Sequence, residues 1–417
     1  MNGLQARGLR LGYAPVLAAA MAIMFVRTLL AVHLLDVPEF GLFGVGMLVS
    51  NSFCMLGSFG FYLLLQRDLP MLIAKGLGVR GKLLLHQTLI LTMAGFIGLL
   101  PLAFIGLFSV SPGFFAISLL NGLAQQAFLV VTLQSRSEGR SMHFAVDNLL
   151  RAVVVVAGIS LAGWIFDTAF SMLLAESIVT LAITARVYAA IGSPAIGGTA
   201  GWIGGARALT RVKWWTPMTL MATGIVGFAM LNGDRWIAAS LLRREDFALY
   251  AFAGIIMMVS QSLQSVINVS VFPGLARVYA LDGSRQAARR AIRYSLAALL
   301  GAGLLVAPGW SIANYAIERF FPAYMATREF LGLFLLIASL RVSDFLSSFM
   351  IIAGRERLLL GINLGSVGAV VAVWLGYFGL DVANIRSLFI AGLATSIAVL
   401  NFTGCLLATI HYLKAER

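Results

Sequence analysis

A chain of 417 residues that is 60% hydrophobic and only 11% charged is not composed for life in water, where roughly 45–50% apolar and about 25% charged residues are usual. Its apolar stretches are each about 20 residues long, enough to cross a hydrocarbon core of about 30 Å, and they leave no run long enough for a globular domain of ordinary size. Soluble dinucleotide-binding, barrel and hydrolase folds are excluded, and the net charge of +13 has no folded basic module that could direct it to nucleic acid.

In chain order the hydropathy predicts twelve membrane helices: 11–35, 40–65, 84–108, 112–134, 142–165, 168–189, 215–242, 247–272, 291–317, 330–353, 358–378 and 385–412. The first is read as a retained span rather than a signal peptide, because it carries Arg27 and eleven more spans follow. With both termini on one side, only Arg235, Arg243, Arg244, Arg319, Arg328 and Arg386 of the 30 Lys and Arg fall on the opposite face, and Arg27 and Arg341 fall within the membrane. That asymmetry places the amino and carboxyl termini in the cytoplasm. Residues 191–214 form the longest connection. They carry Gly192, Gly197, Gly198, Gly201, Gly204 and Gly205 and end in the basic, aromatic run Arg211–Trp215, so they read as a cytoplasmic tether with an interfacial anchor.

The tether falls at mid-chain, and a repeat spans it. Leu34-Leu35 followed by Glu39-Phe40-Gly41-Leu42-Phe43 matches Leu241-Leu242 followed by Asp246-Phe247-Ala248-Leu249-Tyr250, 207 positions on. Pro70 and Leu72 are echoed by Pro273 and Leu275. The expected architecture is therefore an all-α integral membrane protein with an amino-terminal six-helix bundle (1–190), the Gly-rich linker (191–214) and a carboxy-terminal six-helix bundle (215–417). Six spans per half make the repeat parallel, with a site between the halves.

The run Asp36–Asn51 (DVPEFGLFGVGMLVSN), behind an apolar helix with an internal arginine, resembles the opening of the polysaccharide-repeat (O-antigen type) flippases of the multidrug/oligosaccharidyl-lipid/polysaccharide exporter superfamily. Asn232–Ala253 (NGDRWIAASLLRREDFALYAFA), the Pro273-Gly274-Leu275-Ala276 exit and Gly354-Arg355-Glu356-Arg357 continue the resemblance in order to the eleventh helix. It implies a MATE-like, non-enzymatic transporter of the bacterial inner membrane. Such a protein moves an undecaprenyl-diphosphate-linked oligosaccharide to the periplasmic leaflet for O-antigen, capsule or exopolysaccharide synthesis. An H+ or Na+ gradient drives it, no cofactor is needed, and its partners are membrane lipids, a polysaccharide polymerase and export machinery.

A diphosphate head needs cations and a sugar needs hydrogen-bonding groups, both inside a hydrated cavity. Arg27 in the first helix, with Asp234 and Arg235 at the corresponding depth of the seventh, is expected to clamp the diphosphate, Asp234 holding an arginine between substrates. A structural Arg27–Asp234 bridge, or an Arg235 that snorkels outward, is the competing expectation. Gln261, Gln264, Ser265 and Asn268 in the eighth helix, and Asn121 and Gln125 in the fourth, follow helical spacing and are candidates for sugar recognition or for interhelical packing. Arg341 and Asp344 at i, i+3 are expected to pair and to gate, or merely to pair. Glu176 stands alone in its helix, as a candidate proton carrier or as a carboxyl simply hydrogen-bonded to a neighbouring helix. Asp147, Asn148 and Arg151 open the fifth helix at the cytoplasmic mouth, where they gate or, as the better expectation, merely cap.

The four histidines and the two cysteines, Cys54 and Cys405, have no metal-ligand or disulfide spacing. No P-loop or nucleophile elbow occurs. Two other functions share parts of this pattern. A polysaccharide polymerase or ligase would need a large outward loop, which cannot be drawn here. A cation-coupled multidrug antiporter would favour acids over the buried arginines.

Overall fold

A computed structural model describes residues 12–191, 199–378 and 387–415. Every regular element among them is helical: α1 Tyr13–Leu34, α2 Val37–Leu56, α3 Phe61–Ala74, α4 Gly78–Leu99, α5 Pro112–Ser137, α6 Ser141–Phe166, α7 Ala169–Ile191, α8 Thr199–Leu209, α9 Trp215–Leu241, α10 Arg244–Asp282, α11 Ser284–Phe320, α12 Arg328–Val342, α13 Leu346–Ile352, α14 Glu356–Phe378 and α15 Ser387–Ala415. Short 3-10 turns follow α4 and precede α12. Helices suit the bilayer because each satisfies its own backbone hydrogen bonds there. Ten helical segments among the described residues are long and apolar enough to cross a membrane, so this is a multi-pass membrane protein. The 27-residue α9 and the 39-residue α10 cover the segments expected as the seventh and eighth spans.

Several expected elements differ from the structure, each for a local reason. The second expected span breaks at Gly57–Gly60, where Gly60 takes φ +78°, a left-handed conformation that costs glycine little. The Ser58 hydroxyl fills the gap, accepting from the Tyr62 backbone N–H at 3.2 Å and from Gln126 Nε2 at 3.3 Å. The tenth expected span likewise divides into α12 and α13 at Ser343–Phe345. Between the eighth and ninth spans no loop exists: α10 runs to Asp282 and α11 starts at Ser284, with one turn at Gly283 (φ +85°). Part of the expected tether is α8, which lies against α4. Trp202 stacks edge-on to His86 with ring centroids 5.7 Å apart, and a side chain at Gly205 would meet His86 Cβ at 2.9 Å.

The chain packs as two units, Met1–Phe228 and Ala229–Arg417, divided within α9. In the first, α5 is the central helix, against α2, α4 and α7, while α1 lies on α6 and α6 on α7. Lipid offers little hydrophobic drive for helix association, so close approach at small residues matters. Gly122 provides it for α5 and α2, since a Cβ there would lie 2.7 Å from Phe53 Cβ and 2.8 Å from the Ser50 carbonyl oxygen.

In the second unit α12 is central, against α10, α11 and α15, and α14 lies on α15. Counted by the expected spans, α5 touches the expected second, third and sixth, and α12 the expected eighth, ninth and twelfth. Tyr250, Phe330 and Phe334 form an aromatic core between α10 and α12, with Tyr250 and Phe334 edge to face at 5.1 Å. The outer faces of α6 and α11 present Trp164, Leu300, Leu304 and Ile312, as lipid-facing surfaces should.

Candidate functional site

The first unit closes four helices on one carboxylate. Arg27 stands two turns before the end of α1 and is only 4% exposed; Glu176, in the middle of α7, is fully buried. Arg27 Nη1 donates to Glu176 Oε1 at 2.6 Å. From α5, Gln125 Nε2 donates to the same oxygen at 3.4 Å and to Asn121 Oδ1 at 2.5 Å. Asn121 Nδ2 in turn reaches the Leu173 carbonyl of α7 at 3.5 Å. From α6, Arg151 Nη2 stands 4.0 Å from Glu176 Oε1. Its Nε donates to the Thr180 hydroxyl at 3.5 Å, and its guanidinium covers the Phe128 ring at 4.9 Å. Helical spacing produces the set: Asn121 and Gln125 stand four apart on α5, and Glu176 and Thr180 four apart on α7.

Two guanidinium groups share one carboxylate, which leaves a net charge of +1 in the cluster. Glu176 Oε2 and Arg27 Nε are buried without a hydrogen-bond partner. A buried uncompensated cation is strongly disfavoured, so the cluster has the charge and the unused donor that an anion would satisfy.

The structure corrects three expectations. The carboxylate partner of Arg27 is Glu176, hydrogen-bonded to neighbouring helices, rather than Asp234. Arg341 and Asp344 do not pair. The helix ends at Val342, so the i, i+3 register that would bring them together stops short. Asp344 instead caps α13, accepting from the Ser347 backbone N–H at 3.1 Å and from its hydroxyl at 2.8 Å. Arg151, read as part of a cap, lies in the buried cluster, while Asp147 pairs with Arg186 at 2.8 Å.

The second unit holds its own charged cluster. Asp234 Oδ2 accepts from the Tyr250 hydroxyl at 2.7 Å. Arg235 Nη2 donates to the Gly254 carbonyl at 3.1 Å, and the missing side chain of Gly254 makes room for that guanidinium. Arg341 Nη2 reaches the Met230 and Leu231 carbonyls at 3.4 Å, while its Nη1 is buried without a partner. Asp234 and Arg235 are near enough to act on Arg341 electrostatically. This cluster too contains two arginines and one acid. Of the expected polar stripe on α10, Gln264 is half-buried, and the side chains of Gln261, Ser265 and Asn268 lie outside the described residues.

No group of three or more His, Cys, Asp or Glu able to hold a metal ion occurs among the described residues. His86 is committed within the packing of α4 and α7, with Nδ1 at 2.7 Å from the Lys82 carbonyl and Nε2 at 2.9 Å from the Tyr188 hydroxyl.

Neither a protein-family model nor a curated protein sequence matches the chain. Solved structures do. The chain is similar to the lipid II flippase MurJ in an inward closed conformation, with a TM-score of 0.69 at 11% identity over 95% of this chain and 87% of that one. It is also similar to the eukaryotic MATE transporter AtDTX14 (TM-score 0.57, 11% identity, 98% and 96% covered). A transporter of the MOP superfamily from Pyrococcus furiosus gives a TM-score of 0.58 at 12% identity, with 97% and 94% covered. The fold is that of MOP-superfamily transporters and flippases; the structures it resembles are not those of enzymes.

Proposed function

We propose that this protein is a flippase that carries an undecaprenyl-diphosphate-linked oligosaccharide from the cytoplasmic to the periplasmic leaflet of a bacterial inner membrane. The product would feed O-antigen, capsule or exopolysaccharide assembly. The observation that carries the reading is the buried Arg27–Glu176–Arg151 cluster, which holds more cation than anion at a depth where charge is costly. A diphosphate supplies the missing negative charge, and paired guanidinium groups recognise it in bidentate fashion. The exporter-type motifs from Asp36 to Arg357 and the structural likeness to the lipid II flippase MurJ support the same class of cargo.

In this reading the chain has twelve spans in two parallel bundles, 1–190 and 215–417, with both termini in the cytoplasm. The repeated ordinal packing of the fourth and tenth spans supports the duplication. Arg27, with Arg151 added by its position, takes the diphosphate, and Arg235 and Arg341 present the corresponding cations of the second bundle. Asp234 restrains them between substrates. Asn121, Gln125, Gln261, Gln264 and Asn268 contribute amide groups for sugar hydroxyls. Asp344 acts through the α12–α13 break as part of the gating element. Transport proceeds by alternating access, driven by H+ or Na+, with Glu176 as the coupling carboxylate.

The antiporter reading is favoured by one observation, the structural likeness to MATE transporters. It calls for a site with acid in excess, which neither cluster provides. The deciding experiment follows a labelled undecaprenyl-diphosphate-linked oligosaccharide across the bilayer of proteoliposomes, beside a cationic dye. Flipping of the lipid that is lost in Arg27→Ala supports the proposal; dye transport without lipid flipping overturns it.

A further inference from the structure

Helix α11 has one side packed on protein and one side left to the bilayer. Residues 294–317 carry no charged side chain and span about 36 Å as a helix, slightly more than a hydrocarbon core of about 30 Å. None of the apolar window of this helix is buried by protein, so lipid covers it. Arg293 is the last charge before that stretch, with Arg289 one turn further out. Both therefore stand at the level of the headgroups.

Helical spacing decides which side chains share the lipid-facing side. Ala287, Ala288, Ala291 and Ser295 are fully buried. The alanines pack with Leu346, Phe349 and Cys405 in the core of the second unit, and the Ser295 hydroxyl accepts from the Phe345 backbone N–H at 3.3 Å. On the opposite side stand Arg289, Arg293, Leu296, Leu300 and Leu304, at steps of four, three, four and four residues. All five are exposed, Leu300 at 71% and Leu304 at 79%. The column is thus two guanidinium groups about 6 Å apart along the axis, followed by three leucines within about the next 17 Å.

The protein does not neutralise these two cations. Arg290, on the flank, pairs with Asp282 at 3.6 Å. Arg289 and Arg293 have no acidic partner among the described residues, and α11 contains no Asp or Glu before Glu318. The leucines set this pair apart from a solvated basic surface: whatever lies along them in the bilayer has its polar end at the arginines. An anionic group joined to a hydrocarbon chain satisfies both parts of the column at once.

We propose that α11 binds an anionic glycerophospholipid, with its phosphate at Arg289 and Arg293 and an acyl chain along Leu296, Leu300 and Leu304. A zwitterionic lipid carries its own cation beside the phosphate, so the excess positive charge selects phosphatidylglycerol over phosphatidylcholine. The site does not rest on the flippase reading, because the column is turned away from the core of the second unit.

The test titrates the full chain in detergent micelles with phosphatidylglycerol and, separately, with phosphatidylcholine, and follows the lipid adducts by native mass spectrometry. Phosphatidylglycerol should bind at the lower concentration. Arg289→Gln and Arg293→Gln should each weaken its first adduct about fivefold, and the double variant about 25-fold, while phosphatidylcholine binding stays unchanged. Both side chains are exposed, so the thermal midpoint without lipid should remain that of wild type. Replacing both arginines by lysine keeps the charges and should retain most of the preference. Replacing Arg211 and Lys213, the basic residues ahead of α9, by glutamine should leave the first adduct unchanged. Inorganic pyrophosphate should not displace the lipid. The proposal falls if the double glutamine variant binds phosphatidylglycerol like wild type. It falls equally if the Arg211 and Lys213 variant loses as much, since the attraction would then be spread over every basic segment. Displacement by pyrophosphate would also overturn it, by showing a site for free anions.

Discussion

Arg27 and Glu176 are 149 residues apart in sequence and 2.6 Å apart in space, both buried, on two helices that sandwich α6. Because the pair is desolvated, removing one partner leaves the other as an uncompensated charge. Such a loss costs about 3–5 kcal/mol, whereas exchanging both partners for apolar residues of like volume can be neutral or stabilising. Arg27→Met alone should therefore lower the thermal midpoint in detergent markedly, and Glu176→Leu still more, since that variant strands two arginines. The double variant should recover most of the loss and still fail to flip lipid. A double variant as unstable as the sum of the two single variants would show that the pair is not coupled.

Arg27 itself should follow charge and shape separately. Arg27→Ala offers a diphosphate nothing and should abolish glycan export at wild-type protein level. Arg27→Lys keeps a point charge but loses the planar fork, so part of the export should survive. Normal export by Arg27→Ala would remove the clamp while leaving the fold untouched.

The sequence showed the membrane helices because about 20 apolar residues in a row have few other uses, and it showed Arg27 because an arginine within such a run stands out. It could not show the partner of Arg27. Glu176 has no sequence relation to it, and the contact arises only when α1 and α7 meet beside α6. Arg151 was misread for a related reason: ten residues into α6, it looks like a cap until Phe128 and Thr180 are seen around it. The breaks at Gly57–Gly60 and at Ser343–Phe345 were hidden because hydropathy averages over a window while a helix ends at one residue. The glycines near the first break were the available signal.

In the second unit, Tyr250→Phe keeps the ring within its aromatic cluster and removes only the hydrogen bond to Asp234. A hydrogen bond to a charged group contributes about 1.5–3 kcal/mol, so the midpoint should fall modestly. On the proposed role, in which Asp234 restrains arginines between substrates, Asp234→Asn should slow turnover more than it weakens substrate binding. Equal effects on binding and turnover would argue for direct contact with the cargo.

Gly122 is predicted to be intolerant of even one methyl group. The atoms that an alanine Cβ would meet are Phe53 Cβ and the Ser50 carbonyl oxygen, both close to the α2 backbone and unable to swing away. Gly122→Ala should cost about 1–3 kcal/mol through overpacking, visible as a lower midpoint. Gly113→Ala on the same helix, where a Cβ meets nothing within 4 Å, should leave it nearly unchanged. Equal midpoints for the two variants would refute the close approach of α5 and α2.

The last prediction concerns what happens to Glu176 when cargo binds. A diphosphate that engages Arg27 and Arg151 draws away the cations beside Glu176 Oε1, while Oε2 has no partner to begin with. A bare carboxylate in the bilayer interior is strongly disfavoured, so the coupling role proposed for Glu176 requires a proton or a sodium ion to replace the cations as they turn away. Linkage makes the relation reciprocal: if cargo promotes cation binding, the cation strengthens cargo binding by the same factor. Cargo affinity should therefore rise as pH falls, or as Na+ rises at fixed ionic strength, with at most about one cation taken up per cargo. Glu176→Gln is neutral at every pH and should remove the dependence while leaving binding itself in place. The measurement is a titration of reconstituted protein with an undecaprenyl-diphosphate-linked oligosaccharide across pH and Na+ series. An affinity independent of both in wild type, or an unchanged dependence in Glu176→Gln, would exclude Glu176 as the coupling carboxylate.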